Sequence, residues 1–294
     1  MSSSQKSMQG KICLITGATS GIGKATALGL ARMGATVVMV GRDRARSEAV
    51  QSEIKARSGN SAVDLLIADL SSQASIRQLV RDFQQRYPQL HVLINNAGVY
   101  MLTRKETVDG LEMTFAVNYL APFLLTNLLL DTLKASAPAR IVNVSSDAQN
   151  AGYIRMDDLQ SRQRYRSMRA YGQSKLALTM FGYELARRLA GTGVTVNSLH
   201  PGFVATNIAQ NNVPPPLRPV VKFFISLLGM SAQEGAETSL YLASSPDVEG
   251  VTGKYYIKCV PRPTVPISYD EALQAQLWEE SMKLVHLEEQ GPDL

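Results

Sequence analysis

The sequence predicts an α/β fold: a single doubly wound Rossmann-type domain with a parallel sheet of about seven strands and helices on both faces. Short apolar runs of strand length alternate with longer stretches of helical spacing almost throughout the chain. The runs are nearly continuous in Val, Ile and Leu, as strands are when crossover helices bury both of their faces. Three glycines, Gly17, Gly21 and Gly23, punctuate the passage from the first run into the first helical stretch. With 294 residues, 45% hydrophobic and 19% charged, the chain has apolar material for one large core.

Strands are expected at 11–16 (KICLIT), 36–40 (TVVMV), 62–67 (AVDLLI), 91–95 (HVLIN), 140–144 (RIVNV), 194–199 (VTVNSL) and 254–258 (KYYIK). Helical spacing fills 22–33, 43–57, 72–86, 120–136, 168–190 and 231–244, so right-handed crossovers generate the doubly wound sheet. Residues 1–9 read as a flexible N-terminus, 10–294 as the domain, and 268–287 as a C-terminal helical extension. Two irregular segments, near 147–167 and 203–230, read as substrate flaps; the second contains VPPPLRP, and a proline run propagates neither helix nor ladder.

A formal net charge of +5 is spread along the chain rather than gathered into a basic arm. Arg155, Arg162, Arg164, Arg166 and Arg169 cluster, but no reading motif accompanies them, so a solvated flap is expected and nucleic acid is not. Cys13 and Cys259 are too far apart in sequence to suggest a metal site or a disulfide framework. The opening MSSSQKSMQG lacks a signal core, and no apolar run reaches the ~20 residues needed to span a bilayer. A cytoplasmic protein is expected.

A strand that runs through a tight turn into a helix N-terminus makes an anion site, because unpaired amides point outward and the helix dipole favours negative charge. Glycine there lets a pyrophosphate approach closely, which points to a dinucleotide. Tyr171 and Lys175, four apart in a helical stretch, share one face.

The glycine spacing is Gly-x-x-x-Gly-x-Gly. With NNAG at 95–98, Asn118, VSS at 144–146, Tyr171-x-x-x-Lys175 and HPG at 200–202, in that order, the chain resembles the short-chain dehydrogenase/reductase family from about residue 10 to about 258. The stretches DLQSRQRYRSMRAYGQSKLAL and VTVNSLHPGFVATNI are most similar to its retinol dehydrogenase-like branch. Mammalian membrane-bound members carry an N-terminal anchor that is not visible here.

The resemblance implies that Gly17, Ser20, Gly21, Ile22 and Gly23 form the cofactor loop, and that Asn96 lies near the adenosine ribose. It places Asp69 at the adenine ring, although an Asp opening DLSSQ also suits a helix cap. Pro201, Gly202 and Thr206 fall on the cofactor's nicotinamide side; Thr206 is also a candidate cap. At the end of the second strand an acid would bond the ribose 2′-hydroxyl and an arginine would accommodate a 2′-phosphate. Gly41 holds the acid position and Arg42 follows it, which favours NADP(H) over NAD(H), with Arg44 as a helper, unless Arg42 is merely a surface residue.

Asn118, Ser146, Tyr171 and Lys175 would complete a catalytic tetrad. A phenol with pKa near 10 is a poor base at neutral pH, and the Lys175 ammonium is expected to lower it. Ser146 would bond the reacting oxygen, Lys175 the nicotinamide ribose, and Asn118 a water leading to solvent, although Asn118 also suits an ordinary polar contact in a helix. Strand alternation lets only one of Ser145 and Ser146 face the pocket, and the family pattern selects Ser146.

The implied reaction is alcohol–carbonyl interconversion on a hydrophobic, retinol-like, lipid or xenobiotic substrate. A non-catalytic NADP(H)-binding scaffold and a carbon–carbon double-bond reductase of protochlorophyllide-reductase type are the alternatives. A Ser–His hydrolase is disfavoured, since no Gly-x-Ser-x-Gly elbow occurs. Phe223, Phe224, Ile225, Leu227 and Leu228 suit a lid, a packing helix or an interface equally. Family members often form homodimers or homotetramers through the long helices that correspond to 120–136 and 168–190.

Overall fold

Alternating burial along each strand divides the interior. In β1 (Ile12–Thr16), Cys13 and Ile15 face one apolar cluster and Leu14 the other. The same alternation separates Val37 and Met39 from Val38 and Val40 in β2 (Thr36–Gly41). A computed structural model describes residues 7–202 and 230–287. It continues with β3 (Val63–Ile67), β4 (Val92–Asn95), β5 (Ala139–Val144), β6 (Val194–His200), β7 (Lys254–Ile257) and β8 (Val260–Arg262). The sheet order is β3-β2-β1-β4-β5-β6-β7-β8, parallel except for the last pair. All seven expected strands are present. The eighth closes a hairpin through Lys258 and Cys259, both with positive φ, and its three residues are exposed, so no apolar pattern announced it.

Helices α1 (Gly21–Arg32) and α2 (Arg44–Ser58) pack on the Cys13 side of the sheet; α3 (Gln73–Arg86) covers the Leu14 side. The helix expected over 120–136 starts earlier and is broken. It runs as α4 (Met113–Phe115), a wide π-turn (Ala116–Leu120), α5 (Ala121–Leu128) and α6 (Leu130–Ala135). Pro122 has no N–H to offer the Asn118 carbonyl in α-helical register, and the Ala121 N–H instead reaches back five residues to the Ala116 carbonyl. The next helices are α7 (Ser167–Arg188), on the Leu14 side, and α8 (Ala232–Ser244), on the Cys13 side.

The C-terminal extension is a helix, α9 (Glu271–Leu284), lying on α5 and α7. Trp278 packs against Phe123 and Phe181 at centroid distances of 4.9 and 5.7 Å, and the Arg188 guanidinium sits 4.2 Å over its ring. The Tyr119 and Ser281 hydroxyls meet at 2.7 Å. Consequently α7 is buried continuously from Gly172 to Ala186 inside one chain. The Phe181 side of α7 is covered by α9.

The 147–167 segment is tied to the body at several points. After a 3₁₀ turn at Asp147–Ala151, its backbone is held by the buried Gln173, which accepts from Arg155 N at 3.1 Å and donates to Leu159 O at 3.0 Å. Buried Gln160 accepts from Glu112 N at 2.7 Å, and the Tyr165 hydroxyl donates to Met101 O at 2.9 Å. Arg162, Arg164, Arg166 and Arg169 are exposed, as expected for that stretch. The second expected flap, with Phe223, Phe224, Ile225, Leu227 and Leu228, lies almost wholly outside the described residues. Among those residues no helix is long and apolar enough to cross a membrane.

Candidate active site

The parallel strands end together on one edge of the sheet, and the expected site residues gather there. The turn between β1 and α1 bends at Gly17 (φ 66°) and Gly21 (φ 52°), conformations that side chains disfavour. Gly23 answers a different need: a Cβ there would collide with the Gly17 carbonyl and the Asn96 amide. Asn96 Nδ2 donates to Thr16 O (2.8 Å) and Gly17 O (3.2 Å), so Asn96 ties the glycine turn to β4. Some glycines expected to leave space for a ligand are therefore filled by the protein itself. Ser20 precedes α1 without a side-chain cap, and Ile22 is buried in the first turn. That turn carries no acidic residue. An uncapped, acid-free N-terminus behind a glycine turn fits a dinucleotide pyrophosphate.

At the end of β2 a Cβ on Gly41 would collide with Ser47 Oγ. Asp43 is occupied as the cap of α2, accepting from Arg46 N at 2.8 Å, and Arg44 pairs with Glu48 at 3.4 Å. Arg42 is exposed and has no ion-pair partner among the described residues. Asp69 Oδ1 accepts from Ser71 N (2.9 Å) and Ser71 Oγ (2.7 Å), bending the chain toward α3; the helix cap itself is Ser72.

Ser145 and Ser146 separate as strand alternation requires. Ser145 is buried, donating to Lys175 O at 3.0 Å and meeting Thr179 Oγ1 at 3.0 Å. Ser146 faces the other way, caps the 3₁₀ turn through Ala148 N (3.2 Å) and lies near enough to the Tyr171 phenol to lower its pKa. Lys175 is buried one helical turn beyond Tyr171, its Nζ donating to Val144 O at 2.9 Å and lying 5.9 Å from the Tyr171 ring centre. Asn118 completes the group: a Cβ on Gly98 would stand 3.4 Å from Asn118 Oδ1 and 3.5 Å from Lys175 Nζ. Both Nδ2 hydrogens of Asn118 are spent, on Val99 O and Ser174 Oγ, and Oδ1 accepts from Val99 N at 2.7 Å.

Electrostatics correct one expectation. Burial pushes the Tyr171 phenol above its ordinary value, with Ser146 acting the other way. Burial also pushes the Lys175 ammonium down to about 8. The direction is thus opposite to the one expected from Lys175. Pro201 and Gly202 (φ 86°) follow β6 at the same edge, whereas Thr206 lies outside the described residues.

The order of the motifs and this geometry agree with comparison to known proteins. Residues 11–216 match the family model described as short chain dehydrogenase. The chain belongs to the short-chain dehydrogenase family. It is 46% identical over 294 residues to human retinol dehydrogenase 14, covering 95% of this chain and 88% of that protein. Human polyprenol dehydrogenase is 44% identical, covering 93% and 84%. Among solved structures, a protein from Mycobacterium paratuberculosis superposes with a TM-score of 0.75 at 33% identity, covering 95% of both chains. A short chain dehydrogenase from Shigella flexneri complexed with NADP gives 0.68 at 25% identity, covering 87% of this chain and all of the other. Membership makes this chain an oxidoreductase of the NAD(P)-binding kind, with a small-molecule alcohol or carbonyl as substrate.

Two residues at the site escaped the sequence reading, and a third, His200, was read only as part of HPG. Ser174 donates to Tyr171 O at 2.7 Å and accepts from Asn118, joining two tetrad positions. The Tyr100 ring stands edge-on to Tyr171, centres 5.5 Å apart, with its hydroxyl on Ser167 Oγ. His200 Nδ1 accepts from Asp147 N at 3.2 Å. The neighbours of Tyr171 and Ser146 in sequence were the available signal, but none of these residue types marks its own partner.

Proposed function

We propose that this short-chain dehydrogenase interconverts a hydrophobic alcohol and its aldehyde or ketone, using NADP(H) and Tyr171 as the acid/base. The carrying observation is that Ser146 lies beside Tyr171, close enough to act on its phenol, one helical turn from buried Lys175 at the sheet edge that holds the glycine turn. A nicotinamide bound at this edge gives or takes the hydride. Ser146 Oγ holds the substrate oxygen beside the Tyr171 hydroxyl, which donates its proton as the carbonyl becomes an alcohol and recovers it in the reverse direction. The buried phenol is protonated at neutral pH, as the acid role in carbonyl reduction requires. Asn118 Oδ1 retains a lone pair for a water beside Lys175, whose proton exchanges near pH 8. The names of the human relatives, retinol and polyprenol dehydrogenase, support an apolar substrate.

The NADP(H) preference rests on Arg42 and on Gly41, where Ser47 leaves no room for an acid to receive a 2′-hydroxyl. Charge-assisted contacts of this kind contribute ~1.5–3 kcal/mol, so Arg42→Ala should reduce discrimination between NADPH and NADH by roughly 10- to 100-fold. Titration of both cofactors into wild type and variant tests this; a wild type that prefers NADH overturns it. Product analysis with an aldehyde, ketone and enone panel tests the reaction itself.

A further inference from the structure

The strand β6 ends in an imidazole that no role in the proposed reaction absorbs. His200 is half-buried, pairs with Ile257 in the sheet, and turns its Nδ1 onto the backbone N–H of Asp147, the residue after Ser146. The neighbouring contacts make that peptide a pivot. Ser145 N is held by Leu199 O at 2.8 Å, and beyond Ser146 the chain enters a 3₁₀ turn that Ser146 itself caps. The Ser145–Asp147 stretch is thus fastened to β6 at two points: the Leu199 carbonyl, which is fixed by the ladder, and the His200 ring. Only the second is a side chain.

We infer that His200 is a positioning residue: its unprotonated Nδ1 anchors the Asp147 amide and thereby holds Ser146 Oγ against the Tyr171 hydroxyl. An imidazole that accepts at Nδ1 carries its hydrogen on Nε2, so the neutral ring performs this task and the doubly protonated ring does not. When Nδ1 gains a proton it presents an N–H to the N–H of Asp147, and the anchor is replaced by repulsion. The proton then competes directly with the geometry of Ser146.

Charges around the ring set when this happens. Burial lowers the His200 pKa below its ordinary 6.5, and the Asp147 carboxylate opposes that shift. On the adjacent strand, Tyr255 is buried and senses Asp147 and Tyr171, but it is neutral in this range. The anchor is therefore intact at neutral pH and fails on the acid side, below 6.5.

The inference rests on the reaction proposed above, so its test has one arm that needs no turnover. In the ¹⁵N spectrum of the full-length protein without substrate, His200 Nδ1 should show an unprotonated, hydrogen-bonded nitrogen at pH 7.5. The Asp147 amide should titrate with the same midpoint as the ring. An Asp147 amide indifferent to that titration overturns the anchor whatever the enzyme catalyses.

The second arm is kinetic. His200→Leu removes the acceptor and should lower kcat by about tenfold at neutral pH, the gap to wild type closing below 6.5, with NADPH affinity changed less than twofold. His200→Asn places an oxygen where Nδ1 stood; it should recover most of the rate and abolish the acid limb below 6.5, because the amide does not titrate. An Asn variant as slow as the Leu variant, or a Leu variant with wild-type kcat, refutes the assignment. A wild type that turns over no alcohol or carbonyl, with the NMR result intact, refutes the reaction and leaves the anchor standing.

Discussion

Two turns at the same edge of the sheet do opposite kinds of work. The turn after β1 is built from backbone: Gly17 and Gly21 adopt positive φ, and Gly23 lets two main-chain segments and the Asn96 amide close on one another. The turn after β5 is built from side chains: Ser146, Gln149, Gln160, Gln173 and His200 determine its path through bonds to residues 1 to 53 positions away. The first would receive an anion on peptide dipoles, which need no particular side chain. The second places one hydroxyl against another, which only specific side chains achieve. A backbone-built turn should therefore fail by steric intrusion, and a side-chain-built turn by loss of a single functional atom.

The sharpest break is at the chemistry. Tyr171→Phe keeps the ring packed edge-on to Tyr100 and removes only the proton carrier. Turnover should fall at least ~10²-fold while cofactor affinity and melting temperature stay near wild type. Steady-state kinetics with a calorimetric titration of NADPH checks this. An active phenylalanine variant would show that the β5 turn does not carry the reaction.

Gly23→Ala breaks the other turn. The added methyl meets the Gly17 carbonyl and Asn96 Nδ2, and main-chain atoms cannot yield as a flexible side-chain end can. Overpacking of this kind costs ~1–3 kcal/mol, so both urea midpoint and NADPH affinity should drop together. Gly98→Ala provides the contrast, because its methyl would reach Asn118 Oδ1 and Lys175 Nζ only at 3.4 and 3.5 Å. Stability should then hold while kcat changes.

The same contrast explains what was legible beforehand. Strand runs, helix spacing and the glycine turn are local, and apart from the broken helix that begins at Met113 each appears in the structure within a few residues of its expected place. Ser146 over Ser145 was readable because period-2 alternation left a binary choice that the family pattern resolved. The break at Asn118 was written locally too, in Pro122, but a proline near a helix start usually reads as benign. What stayed hidden depends on contacts between distant residues: α9 closing over Phe123 and Phe181, Gln160 and Gln173 stitching down the 147–167 segment, and burial raising the Tyr171 phenol. Burial in particular is a property of the assembled core, so the sign of a pKa shift cannot be taken from neighbours in sequence alone.

Lys175 offers the finest test, because there the side-chain-built region pays for function in stability. Its ordinary pKa of 10.5 describes the unfolded chain, and burial lowers it to about 8 in the fold. Between these values the unfolded state binds more protons, so wild-type stability should rise as pH rises from about 8 to 10.5. Below about 8 both states are protonated, and the fold carries the full cost of burying an ammonium that is compensated chiefly by the bond to Val144 O. Lys175→Met removes that cost but strands the Val144 carbonyl, a loss of ~1–3 kcal/mol set against a ceiling of ~3 kcal/mol from the pKa shift. The variant should therefore be inactive yet more stable than wild type at pH 7 by ~1 kcal/mol, with the advantage gone by pH 10.5. Urea denaturation at both pH values measures the difference. A variant less stable at pH 7 would mean that Lys175 contributes more through Val144 than its desolvation costs, and that this turn is held by the very group it uses.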